Sequence, residues 1–147
     1  MTYETESNPN CVYEALQELK KQQDQLEGST SCCYTSLLKK LLKVDTIPFM
    51  LLTNEGPFEL GGFLYGKKNS HFHTSFFRIE KLDEDKKCVT LSLLRPITLY
   101  GTFAKEICDV ERLERTKICV TVDTECLCAV QCLDIDLMKK VIVEPKW

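Results

Sequence analysis

From Val12 onward, apolar residues recur at Ala15, Leu16, Leu19 and Leu26, one stripe of a helical wheel, while Glu14, Glu18, Lys21, Asp24 and Gln25 fill the opposite side. Asn8-Pro9-Asn10 ahead of the stripe supplies a capping side chain and a proline suited to a first turn. Gly28 stands where a glycine commonly closes a helix. The pattern predicts an amphipathic helix that either covers the rest of the domain or offers a seam to a partner helix. Ser29-Thr30-Ser31-Cys32-Cys33 reads as a small polar linker. A short second helix is predicted from Ser36 to Lys43, with Leu37, Leu38, Leu41 and Leu42 inward.

After Val44 the period shortens. The runs TIPFMLLT, HFHTSFFRIEKL, CVTLSLL, KICVTVD and ECLCAVQCL are rich in β-branched and aromatic residues and are separated by turn signals. Asn54-Glu55-Gly56-Pro57 and Asp83-Glu84-Asp85-Lys86-Lys87 are turns by composition. In CVTLSLL, Val89, Leu91 and Leu93 alternate with Cys88, Thr90 and Ser92, as in a half-buried antiparallel strand. There is no βαβ rhythm, no repeat and no low-complexity tract. The fold expected is α+β: an N-terminal helix or two short helices, then an antiparallel β-sandwich or small barrel. Residues 1–147 are expected to form a single domain, with 1–44 helical and 45–147 the β part.

Composition narrows the function. With 44% hydrophobic and 28% charged residues, the chain reads as globular. A net charge of −3 gives no electrostatic reason to expect nucleic acid or an anionic membrane as partner. The opening MTYETESNPN carries two glutamates and no apolar core, unlike a signal peptide, and the longest apolar run falls far short of a membrane span. Synthesis in a cytoplasm is the expectation. Nine cysteines in 147 residues conflict with it, because cytoplasmic thiols are normally kept reduced. The odd count also rules out a fully disulfide-paired monomer.

Four of these cysteines fall in CVTVDTECLCAVQC. If ECLCAVQCL is one strand, Cys126, Cys128 and Cys132 share a face, with Leu127, Ala129 and Leu133 toward the core. Strand neighbours at i and i+2 are roughly 6.6 Å apart, at the outer limit for a disulfide, so each thiol needs a partner elsewhere. Zinc is the competing use. Only Cys128-x-x-x-Cys132 has knuckle spacing, and no C-x-x-C occurs to suggest a zinc knuckle pair or a thiol-redox motif. His71-Phe72-His73 would place two imidazoles on one strand face, which keeps a metal site or a ligand-binding barrel enzyme open as weaker alternatives. No cysteine is placed near an elbow or oxyanion site, so no catalytic residues are assigned. Gly61-Gly62-Phe63-Leu64-Tyr65-Gly66-Lys67-Lys68 resembles a phosphate loop, but Lys68 cannot serve magnesium and a strand should follow. It reads as a hairpin.

The segments CVYEALQELKKQQ, TIPFMLLT with GPFELGGF, FFRIEKLDEDKKCVTLSLLRP and ICDVERLERTKICVTVDTECLCAVQCLD span most of the chain. In this order they resemble the cysteine-rich spore-surface proteins of bacilli, the CotY/CotZ/ExsY family of the outer coat (crust) and exosporium basal layer. The resemblance implies a non-enzymatic structural protein without cofactor. Such a protein assembles with itself, in hexameric rings within a two-dimensional sheet, and with other spore coat or exosporium proteins, and becomes disulfide cross-linked. It also implies synthesis in the mother-cell cytoplasm without a signal peptide and deposition on the spore surface, with oxidation coming later. Cys11, Cys33, Cys88, Cys108, Cys119, Cys126, Cys128 and Cys132 match family cysteines; Cys32, His71 and His73 stand outside the pattern. All nine cysteines are cross-linking candidates. Cys11 and Cys33 are expected to join subunits, followed by Cys126, Cys128 and Cys132. Cys88 and Cys119, within strands, are expected to be buried or paired inside the chain.

Overall fold

The computed structural model describes residues 10–28, 46–63, 71–133 and 142–144. The predicted second helix, Cys32 and Cys33 lie outside these residues. Helix α1 spans Cys11–Gly28. Its start is fixed by Asn10, whose Oδ1 accepts the Tyr13 N–H at 3.0 Å and whose Nδ2 donates to Thr124 Oγ1 at 2.7 Å. One side chain thus satisfies an orphan helix donor and ties the helix to the far end of the chain. Val12, Leu16 and Leu19 enter the main core, and Glu14, Glu18, Lys21, Asp24 and Gln25 are exposed. The stripe is therefore used inside the molecule, not as a seam for a partner helix. Gln23 is also buried, and its Nε2 donates to the Ile79 carbonyl at 2.8 Å.

The strands are β1 (Phe49–Thr53), β2 (Gly56–Pro57), β3 (Leu60–Phe63), β4 (His71–Thr74), β5 (Phe77–Asp83), β6 (Cys88–Ile97), β7 (Arg112–Asp123), β8 (Ala129–Cys132) and β9 (Ile142–Glu144). The larger sheet runs β2-β1-β5-β6-β7-β9, with β8 paired to β1. It curls into a half-barrel. Strands β3 and β4 form a separate two-stranded ribbon. The expected α+β architecture holds, with one exception to its antiparallel pairing: β9 runs parallel to β7. The predicted turns are present. Gly56 has φ +121°, and Asp83 Oδ1 accepts the N–H groups of Asp85 and Lys86 at 3.1 and 3.2 Å.

Two expected strands are broken. HFHTSFFRIEKL divides after Thr74, whose hydroxyl donates to the Leu94 carbonyl at 2.6 Å and accepts the Phe76 N–H at 3.0 Å. That hydroxyl satisfies backbone groups that a continuous ladder would otherwise pair. ECLCAVQCL opens with a 3-10 turn, Thr124–Cys126, in which Asp123 accepts the Glu125 N–H at 2.9 Å and Thr124 Oγ1 donates to the Lys87 carbonyl at 2.6 Å. Cys126 therefore leaves on a turn and does not share a strand face with Cys128 and Cys132. The turn carries the chain from β7 across to β1.

The core has two parts. Phe49, Leu51, Phe77, Ile79, Leu91, Leu93 and the helix stripe fill one, while Phe76, Leu94, Val110, Leu113 and Leu133 form the other. This double cover explains why alternation fails after Val89-Thr90-Leu91: every residue from Leu91 to Ile97 is buried. Leu127 and Leu133 are buried, as the sequence pattern predicts, but the side of β8 that carries the cysteines is not wholly outward. Val130, on the side of Cys128 and Cys132, packs against the main core, and Leu133 serves the second. Between the central strands, Arg95 and Glu114 stand directly opposite and form a buried ion pair, with Arg112 a second partner of Glu114 at 3.2 Å.

Candidate functional site

The seven described cysteines sit at the surface, with Cys88 half-buried and Cys11, Cys108, Cys119, Cys126, Cys128 and Cys132 exposed. Cysteine is usually among the most buried residue types, so this distribution is unusual. It corrects the expectation for Cys119, which lies on β7 but on the outward side of a sheet whose inward side Ile118, Val120 and Val122 already fill.

The ladder also bears on pairing. Cys88 stands opposite Asp123, Cys119 opposite Ser92, and Cys132 opposite Phe49. Four residues of strand separate Cys88 from the position facing Cys119, about 13 Å, whereas a disulfide needs Cα atoms within about 7 Å. Cys88 and Cys119 therefore do not stand within disulfide reach of each other. Cys128 and Cys132 are held apart by the same four-residue spacing. Each of these thiols looks outward, and no disulfide joins any two of the described cysteines.

The surroundings of Cys108, Cys119 and Cys132 raise their thiol pKa values. At Cys108, in the 3-10 turn Ile107–Asp109 between β6 and β7, the negative charge of Asp109 and then partial burial push the thiol up. Glu106 adds to the effect and accepts from Cys108 Sγ at 3.7 Å. Burial, followed by the Glu80 charge, raises Cys119; burial raises Cys132. Glu80 is itself held by Arg78 Nη1 at 2.7 Å and Ser92 Oγ at 2.7 Å, so its charge is fixed beneath Cys119. Cys128 Sγ donates to Asn54 Oδ1 at 2.9 Å, across the gap between the start of β8 and the β1–β2 turn. None of these settings resembles the electropositive pocket that activates a nucleophilic thiolate.

Cys108 also lines a cleft of about 780 Å³ with His71, His73 and Glu59 at its rim and Phe72, Phe76 and Phe103 among its apolar walls. The two imidazoles are exposed on β4, as the sequence pattern predicted, with ring centroids 4.6 Å apart. Nearby, Leu99, Tyr100 and Ile107 are 73%, 88% and 45% exposed, all within the β6–β7 excursion. Apolar residues without periodicity carried no signal there. No helix among the described residues is long and apolar enough to cross a membrane.

Comparison with known proteins gives the class: a spore coat protein. The family described as Spore coat protein Z matches residues 2–135. Spore coat protein Z of Bacillus subtilis (strain 168) is 33% identical over 148 residues, covering 92% of this chain and 97% of that protein. The chain belongs to the spore coat protein Z family. No solved structure matches it.

Proposed function

We propose that this chain is a structural protein of the bacterial spore surface, in the outer coat (crust) or exosporium basal layer. In this reading it is one domain over residues 1–147 and is made in the mother cell. It assembles with itself into a two-dimensional hexagonal lattice that disulfides then lock. It is not an enzyme and uses no cofactor, and other coat proteins attach to the sheet. The observation that carries the reading is the outward placement of the described thiols in a register that leaves the strand-borne ones no partner on a facing strand.

A disulfide forms only where two sulfurs are already positioned, so noncovalent contacts come first. The exposed Leu99, Tyr100 and Ile107 offer apolar area for such contacts beside Cys108. Raised thiol pKa values at Cys108, Cys119 and Cys132 slow oxidation at neutral pH, since the thiolate is the reacting form. Subunits can then find their lattice positions before they are joined.

The test is electron microscopy of purified protein with and without reductant, beside non-reducing gels. Mass spectrometry of an assembly mixed from 14N- and 15N-labelled protein distinguishes links between copies from links within one. Ordered sheets, a reductant-sensitive ladder and mixed-label peptides containing Cys88, Cys119 or Cys132 are expected. A lone soluble particle whose thiols all remain titratable after air exposure would refute the proposal.

A further inference from the structure

We propose that His71 and His73 form a two-imidazole chelating site for a borderline divalent transition ion such as Zn2+. The site is independent of the lattice reading and survives its failure. Alternation along β4 puts both imidazoles on one side of the strand. Their rings meet nearly edge to face, at 87° and 4.6 Å between centroids. Phe72 between them is 2% exposed and belongs to the main core, so the backbone carrying the two ligands is anchored from beneath.

Register supplies the rest. Gly61 pairs with His73 and Phe63 with His71, which lays both rings over Gly61. The point where a Cβ would stand on that glycine lies 3.0 Å from His71 Nε2 and 3.5 Å from His73 Nδ1. Two ring nitrogens thus converge on one cradle, open because residue 61 has no side chain. Tetrahedral zinc with Zn–N bonds near 2.1 Å needs its two nitrogens roughly 3.4 Å apart, within reach of modest side-chain rotation at an exposed site.

Imidazole nitrogens suit zinc and its neighbours in the transition series. The remaining positions are left for water or for a ligand entering the cleft. The opposing Glu106, Cys108 and Asp109, whose donor atoms lie within 4.8 Å of one another, are the competing destination for an ion and are separated from this site by the experiment.

Full-length protein, kept reduced with a phosphine, is titrated with zinc chloride while the imidazole nitrogens are followed by NMR. The chain has two histidines, which makes the signals easy to assign. Both rings are expected to shift together and saturate at one ion per chain. His71→Ala and His73→Ala should each weaken binding roughly tenfold or more, because even a ligand's hydrogen-bond partner is worth about 10–100-fold. Cys108→Ser should bind as the parent does. His71→Gln and His73→Gln replace the alanine variants if circular dichroism shows the ribbon disturbed. Imidazoles unmoved by zinc, histidine variants of parental affinity, or a loss confined to Cys108→Ser would each overturn the site.

Discussion

At the scale of single residues, a neighbouring charge governs one thiol. Cys108 is held up first by Asp109 and only then by burial, so neutralising that acid should lower the thiol pKa and enlarge its thiolate fraction at neutral pH. Asp109→Asn is therefore expected to speed iodoacetamide alkylation of Cys108 at pH 7, with little effect on Cys132, whose shift comes from burial alone. Peptide-resolved alkylation kinetics check this; an unchanged Cys108 rate would show that the carboxylate does not control the thiol. The buried pair Arg95–Glu114 makes a second residue-scale prediction. Glu114→Ala leaves a guanidinium uncompensated between β6 and β7 and should cost about 3–5 kcal/mol in denaturant unfolding of the reduced protein. An Arg95→Met, Glu114→Leu double variant should cost less, because no charge is stranded. The Arg95–Glu114 pairing could not be read from the sequence, since strand register sets it.

At the scale of elements, the ribbon and the helix dock by different means. The β3–β4 ribbon approaches β7 at Gly62, where an added Cβ would lie 2.8 Å from Phe72 Cζ and 3.1 Å from Ile118 Cδ1. Something must shift to admit it, and Phe72 is a core residue. Gly62→Ala should destabilise the protein by about 1–3 kcal/mol and disturb the His71 and His73 signals. Parental stability would show that the ribbon is not packed this closely. Helix α1 was legible because its 3.6-residue period and caps are local, but its docking through Asn10 to Thr124 was not: those residues are distant in sequence and meet only in the fold. The division of HFHTSFFRIEKL was equally hidden. A threonine hydroxyl that pairs the backbone looks, in sequence, like any strand threonine.

At the scale of the whole molecule, the described fold rests on no bond between its own described cysteines. No described cysteine is fully buried and no disulfide joins any two of them. Replacing Cys11, Cys88, Cys108, Cys119, Cys126, Cys128 and Cys132 together by Ser should leave the circular dichroism and thermal unfolding of the dispersed subunit close to those of the reduced parent, since each surface change is worth roughly 0.5 kcal/mol or less. The same variant should lose reductant-sensitive assembly. A chain that fails to fold would place the thiols in the core's service instead. What the sequence by itself determined is what short-range chemistry encodes: a capped amphipathic helix, turn-punctuated strands, an exposed histidine pair and a thiol count incompatible with a closed monomer. Tertiary structure alone decided which thiols can meet. A disulfide or a chelate depends on ångström-scale spacing between residues on neighbouring strands, and that spacing follows from ladder register and from where one turn carries β8 across to β1. Local periodicity sets which side of a strand a residue takes, but it carries no information about which residue of another strand lies opposite.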